Sequence, residues 1–280
     1  MIKKFLDLGM QPLANKYLTK KDIIKKNKEQ FYHLEVGFNS KTKLVSIINT
    51  VPPKKMFDGN YPYMSSMSQT MILSFKKLAK NLIKTYNPNS ILEIGSNDGS
   101  FLKNFSKKKV ICVEPCKNLA IITKRMGYKT CANLWNMRLA KKIKTKTEKV
   151  DLIYSANTLS HINDLNSVFR SIAYILSDDG ILIIEEPSLL ECLQKISYDQ
   201  FYNEHIYVFS LLSINNLIKK YRLEVFNIEK LNTHGGSLRY YIKKISNNKF
   251  EIHKKVKMQL NRELRRSEER RVGKECRSRW

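Results

Sequence analysis

No C-x-x-C pair occurs in the 280 residues; the five cysteines, Cys112, Cys116, Cys131, Cys192 and Cys276, stand apart. Met1-Ile-Lys-Lys-Phe5 also lacks the apolar stretch of a secretory leader, so a disulfide frame or thiolate zinc site is not expected. The cysteines read as buried thiols, Cys112 within a core strand. No apolar run approaches the ~20 residues of a membrane span, which leads to the expectation of a cytoplasmic chain with no membrane partner. Acidic residues are few, 25 against 51 lysines and arginines, for a formal charge of +26. That excess is mostly lysine dispersed among abundant isoleucine and asparagine, without an arginine-aromatic platform. Solvated lysine faces are therefore expected, and a nucleic-acid partner is not. Two further signals are missing: an internal repeat, and the G-x-G-x-x-G fingerprint of dinucleotide folds.

What is present centres on Ile91-Leu-Glu-Ile-Gly-Ser-Asn-Asp-Gly-Ser-Phe-Leu102. A short β-branched run ends in a turn relaxed by Gly95 and Gly99, and helical spacing follows. The acidic Glu93 and Asp98 in and beside this turn would repel a pyrophosphate, which points to a nucleoside without phosphates. Glu114 closes the next strand, Val110–Glu114, about 20 residues on, where doubly wound folds place a carboxylate on ribose hydroxyls.

Strands are expected near residues 90–94, 110–114, 128–132, 150–156 and 180–186, with helices near 99–107, 117–126, 136–145 and 163–176. An amphipathic helix over Gln69–Tyr86 precedes them. This alternation predicts an α/β fold, a doubly wound parallel sheet with helices on both faces and ligands at the carboxyl ends of the strands. Residues 1–60 read as a small irregular β module: a turn-rich start at Asp7–Asn15, then strand-like alternation from Tyr32 to Ile48. The loop Met56–Ser68 is dense in hydroxyls and aromatics; it is either an ordinary turn capping the next helix or a segment that turns Tyr61 and Tyr63 towards a ligand.

Asn157 and His161, at the end of the fourth predicted strand, open onto the crevice, and Asp164 can cap the helix behind them. Glu185 and Glu186 end the fifth strand at the same rim. Tyr202, Glu204 and His205 put a phenol, a carboxylate and an imidazole within four residues, the kit for proton abstraction beside a carbonyl. Read blandly, they are an aromatic packing segment. Gly235-Gly236 is either a tight turn or the support that lets His234, Ser237 and Arg239 meet an anionic or hydroxylated substrate. Lys254–Arg265 reads as the start of a helix that goes nowhere. Arg266–Trp280 switches abruptly to arginine and resembles a translated sequencing-library adapter; without its six basic and three acidic residues, +26 falls to +23.

Taken in order, Leu8–Asn15, Tyr61–Ser68, Glu93–Gly99, Val113–Pro115, Asn157–His161, Tyr202–His205 and His234–Arg239 resemble the C-methyltransferases of nucleotide-linked keto-deoxysugars. The resemblance covers residues 7 to about 245. It implies a class I, Rossmann-like methyltransferase core that binds S-adenosylmethionine, with a small zinc-type module before it and a further α/β domain after it. The expected division is 1–60 for the module, 61–190 for the core, 191–265 for a catalytic insert and an incomplete C-terminal α/β region, and 266–280 for a non-native tail. It also implies a base that removes the proton beside the C4 ketone and an enolate that takes the methyl group. By resemblance His205 is the base, helped by Tyr202 and Glu204, and His161 stabilises the enolate oxygen. Glu93, Gly95, Asn97, Asp98, Gly99, Glu114 and Asn157 would hold the cofactor, and Tyr61, Tyr63, His234, Ser237 and Arg239 the substrate.

The sequence departs from the family pattern in three ways. One zinc cysteine pair would lie before Met1 and the other falls at Asn39 and Thr42, so no metal is expected. Asn203 stands where the family usually has a histidine, and the family's C-terminal domain extends well past this chain. Methylation of oxygen or nitrogen in another small molecule, or an inactive cofactor-binding fragment, are the alternative expectations.

Overall fold

The computed structural model describes residues 2–24, 29–57, 59, 61–147 and 149–271, with side chains up to residue 265. In chain order the elements are β1 (Ile2–Pro12), α1 (Lys20–Ile24), β2 (Phe31–Asn39), β3 (Leu44–Ile47), α2 (Pro53–Met56), α3 (Gln69–Tyr86), β4 (Ile91–Ile94) and β5 (Val110–Val113). There follow α4 (Lys117–Arg125), β6 (Lys129–Cys131), α5 (Met137–Thr147), β7 (Val150–Ala156), α6 (Leu165–Ile175), β8 (Leu176–Pro187) and α7 (Leu189–Lys195). The described chain closes with β9 (Tyr207–Val208), α8 (Leu211–Ile218), β10 (Leu223–Leu231), β11 (Ser237–Lys244) and α9 (Lys254–Arg271).

Seven strands form the main sheet in the order β10-β11-β8-β7-β4-β5-β6. β4, β5, β6, β7 and β8 are mutually parallel, and β11 lies antiparallel to both β8 and β10. The chain leaves β4 for β5 and β6 on one side and returns to β7 on the other, so the switch point lies between the carboxyl ends of β4 and β7, where ligands collect. The two-residue side-chain period sorts the core. Leu92, Ile153, Leu182 and Ile184 face α5, α6 and α8. Ile91, Leu152, Ile181 and Ile183 face α3 and Phe101. Helices therefore cover both faces, and each fully buried aliphatic side chain contributes about 1.5–3 kcal/mol.

α3 matches its expected limits because Met71, Phe75, Leu78 and Leu82 bury one stripe, Ser68 accepts from Met71 N–H at 3.3 Å, and Asn87 ends the helix with φ of 40°. Asp164 caps α6 as expected, accepting from Ser167 N–H at 2.9 Å.

The structure corrects four expectations. The turn-rich start belongs to strand β1 as far as Pro12, paired with β2 through two register shifts, one between Lys4 and Leu6 and one between Asp7 and Met10 that absorbs Leu8 and Gly9. The helix expected near 99–107 is two short 3₁₀ turns, Leu102–Asn104 and Lys107–Lys109; the Asn104 amide turns back onto the carbonyls of Ser100 and Phe101. Residues 191–265 do not begin a separate domain, since β10 and β11 complete the main sheet beside β8. α9 has a destination as well: Val256 enters the core, and Glu263 accepts from the first amides of α8, Leu211 N–H at 3.1 Å and Leu212 N–H at 2.9 Å. Within the expected tail, the backbone of α9 continues to Arg271, and residues 272–280 lie outside the described residues.

A second sheet, β1-β2-β3-β9, holds the N-terminal module. Its last strand comes from far along the chain: Tyr207 and Val208 pair with Ser46 and Val45. At Phe209 the same segment bridges to Ser188 at the end of β8. No described helix is long and apolar enough to cross a membrane.

Candidate active site

The loop after β4 is shaped by backbone conformations that side chains resist. Gly95 has φ of 75°, and a Cβ there would lie 2.1 Å from Thr158 Oγ1, so only glycine fits. Asn97 also has positive φ, 48°. Glu114 fixes this loop from the end of β5: one carboxylate oxygen accepts from Asn97 N–H at 2.8 Å, the other from Cys116 N–H at 2.8 Å. Burial raises the Glu114 carboxyl, and these two amides oppose the rise.

A cavity of about 630 Å³ opens over this loop at the switch point. Gly95, Asn97, Glu114 and Asn157 line it. Asn157 has φ of 48°, and its side-chain oxygen has no partner. Glu93, Asp98 and Gly99 do not line the cavity. Glu93 is 4% exposed with one oxygen unpartnered, and burial, then the charges of Glu114, Asp98 and Glu185, hold its carboxyl well above the usual range. Asp98 accepts from Ser66 N–H at 2.9 Å and from the Ser100 hydroxyl at 2.6 Å, while Asn97 accepts from Ser65 N–H at 2.9 Å. Together they staple the segment carrying Tyr61 and Tyr63 to the glycine loop. Gly99 packs against Thr123.

Across the cavity the three imidazoles of His161, His205 and His234 are lining groups, with Tyr61, Tyr63 and Tyr202. The Tyr202 hydroxyl and His205 Nε2 are 2.8 Å apart, and His205 Nδ1 lies 3.1 Å from Gln200 carbonyl oxygen. A carbonyl only accepts, so Nδ1 carries the proton, and in the neutral ring Nε2 offers its lone pair to Tyr202. Burial pushes His205 down to about 4, against the pull of the Gln200 carbonyl, so this ring is an uncharged base at neutral pH. His161 stacks on Phe57 with ring centres 5.4 Å apart and lies 5.2 Å from the His205 ring; its Nε2 is unpartnered. Burial, then His205, hold His161 well below its usual value.

Glu204 departs from its expected role beside His205. It is 1% exposed and accepts from the Asn15 amide at 2.9 Å and from the Tyr61 hydroxyl at 3.0 Å. It therefore anchors the N-terminal module and Tyr61, and it is not among the residues that line the cavity. Ser237 and Arg239 are likewise structural. The Ser237 hydroxyl donates to Thr233 carbonyl oxygen at 3.1 Å, and Arg239, 4% exposed, pairs with Glu185 at 2.7 Å and with Glu229. His234 does reach the cavity, held at φ of 52°. Sequence reasoning passed over Phe57, Gln200 and Trp135 as lining groups. Trp135 follows β6, and the rule that ligands gather at carboxyl ends of strands could have found it.

The chain matches two family models. Residues 1–57 match one described as a putative zinc binding domain. Its donors do not fit zinc: the segment has no cysteine and one histidine, His33. The β2–β3 turn closes without metal, because the Asn39 side-chain oxygen accepts from Lys41 N–H at 3.0 Å and Thr42 N–H at 3.2 Å. Among the described residues, the metal-type cluster is Asp7, His33 and Glu35; Asp7 and Glu35 already pair with the Lys4 ammonium, and His33 Nε2 lies 2.9 Å from Asp7.

The chain is 27% identical over 238 residues to C-methyltransferase NovU of Streptomyces niveus, covering 83% of this chain and 56% of the relative. It thus spans little more than half the length of that curated relative. A putative O-methyltransferase from Nostoc punctiforme superposes with a TM-score of 0.50 at 16% identity, over 63% of this chain and 58% of that one. A possible histamine N-methyltransferase from Thermotoga maritima gives 0.46 at 20% identity, over 60% and 87%. The second family model, described as a methyltransferase domain, matches residues 67–227, more than half of the chain, and the chain belongs to that family.

Proposed function

We propose that this chain uses S-adenosylmethionine to methylate a carbon of a nucleotide-linked 4-keto-deoxysugar. The observation that carries the reading is the Tyr202–His205 pair, which faces the same cavity as the glycine loop and Glu114. A methyl acceptor on oxygen or nitrogen needs no carbon base, whereas a buried, uncharged imidazole coupled to a phenol is suited to remove a proton beside a ketone. The name of NovU, a C-methyltransferase, points the same way.

The residues fit the cofactor. Asn157 offers an unpartnered oxygen, and Glu114 brings to the cavity a carboxylate, an acceptor-only group suited to ribose hydroxyls. The charged lining side chains are the carboxylates Glu114 and Asp164, with no lysine or arginine among the described residues, a field that favours a sulfonium. The same field disfavours phosphates, so in this reading the sugar enters and its diphosphate stays at the mouth. When bound, S-adenosylmethionine supplies an electrophilic methyl group. The chain's own part is to move a proton: Tyr202 oxygen takes it from the sugar carbon as the Tyr202 proton passes to His205 Nε2. His161 faces the developing enolate oxygen, and the Gln200 carbonyl fixes the tautomer throughout.

Two measurements test this. Calorimetric titration with S-adenosylhomocysteine should saturate, and Glu114→Gln should weaken it about tenfold or more, since an amide cannot accept from both N–H groups. Incubating nucleotide-linked 4-keto-deoxysugars in deuterated buffer without the methyl donor should exchange the proton beside the ketone. Cofactor binding with no exchange for any such sugar would overturn the carbon-methylation reading.

A further inference from the structure

Glu186, at the end of β8, is 0% exposed, on the same sheet face as Ile184. One carboxylate oxygen accepts three successive backbone amides: Thr158 N–H at 3.1 Å, Leu159 N–H at 2.8 Å and Ser160 N–H at 3.3 Å. The other oxygen has no partner. These amides open the 3₁₀ turn Leu159–His161, which begins two residues after Asn157 and ends with His161. Both of those side chains line the cavity. An apolar residue here would avoid burying a carboxylate, and replacing buried charge by packed hydrocarbon is often stabilising. A carboxylate in this place therefore calls for a function.

We propose that Glu186 is a positioning residue whose ionised form draws the Thr158–His161 turn, and with it Asn157 and His161, into the working geometry of the cavity. The proposal rests on the reading of this cavity as the methyl-transfer site. Charge-assisted hydrogen bonds are roughly twice as strong as neutral ones, so protonating Glu186 slackens all three amides at once. Burial pushes Glu186 up to about 7, against the opposing pull of Ser160 and the turn amides, so the change falls within the physiological range. The titratable groups that face it are phenols, Tyr202 from the segment before β9 and Tyr240 from β11, and the Tyr240 hydroxyl is itself unpartnered. The unfolded carboxyl titrates near 4.5, so Glu186 supports the fold most below that pH and loses this support as pH rises through about 7. Its ionised form thus holds the turn at a cost in stability.

The test is amide NMR of the full chain labelled with ¹⁵N-leucine, with Leu159 assigned through Leu159→Ile and followed from pH 5.5 to 8.5. The Leu159 amide should titrate with a midpoint within about one unit of 7. Glu186→Gln, which keeps an acceptor but cannot ionise, should abolish that titration. If that variant does not fold, Glu186→Asp, shorter by one methylene, should move the midpoint. A flat wild-type amide, or a titration that either variant leaves unchanged, overturns the proposal. With substrate in hand, the acid limb of kcat/KM near pH 7 should vanish in Glu186→Gln. A uniform loss at every pH would mean a purely structural residue and would also overturn it. S-adenosylhomocysteine binding, measured on the same sample, judges the methyltransferase reading separately, since the amide titration requires no ligand.

Discussion

The Tyr202 hydroxyl meets His205 Nε2 at 2.8 Å while the opposite nitrogen of that ring is tied to the Gln200 carbonyl at 3.1 Å. The two side chains therefore form one proton-carrying unit with a fixed tautomer, and they should fail together. Tyr202→Phe and His205→Ala are each expected to lower single-turnover methyl transfer by about 10²–10⁴-fold. The double variant should be little worse than either, because residues acting as a unit are not additive. Binding of S-adenosylhomocysteine, measured by calorimetry, should stay within a few-fold of wild type. Fully additive losses would mean that the pair does not share one proton path.

The Glu204 carboxylate joins three segments that lie far apart in sequence, through Asn15 and Tyr61. Removing one partner of a buried, hydrogen-bonded carboxylate costs about 1–3 kcal/mol. Asn15→Ala should lower the urea midpoint accordingly. The cycle with Glu204→Gln should give a coupling of about 0.5–3 kcal/mol. Independent, additive effects would break the proposed anchor.

Acid should expose the buried histidines. His205 titrates at about 4 in the folded chain against 6.5 for a free ring, so the unfolded chain binds its proton first. The stability tied to neutral His205 is present above pH 6.5 and is lost as pH falls towards 4, with a slope of at most about 1.4 kcal/mol per pH unit. His161 acts in the same direction. Urea midpoints at pH 7.5, 5.5 and 4.5 should fall less steeply for His205→Gln than for the wild type. Parallel slopes would mean that the ring is not buried as described.

The core strands and α3 were readable in the sequence because each is a local pattern: β-branched runs between turns, or apolar residues three and four apart. β1 was hidden because Asp7, Gly9 and Pro12 are turn residues, and the register shift between Asp7 and Met10 that accommodates Gly9 depends on β2. The glycine loop and its carboxylate were also legible, since spacing alone links Gly95 to Glu114. What each acidic residue does was not. Asp98 and Glu204 look like ligand contacts in one dimension, yet their partners, Ser66 and Asn15, are set by tertiary packing. Arg239 misled for the same reason: its counter-ions Glu185 and Glu229 come from neighbouring strands.

The two residues of β9 sew the stretch after His205 onto the N-terminal sheet, and Phe209 hooks the next link onto the end of β8. The Tyr202–His205 segment is thus suspended as a bridge deck hangs between piers. A shortened chain beginning at α3 would keep the glycine loop and the whole main sheet but lose one pier.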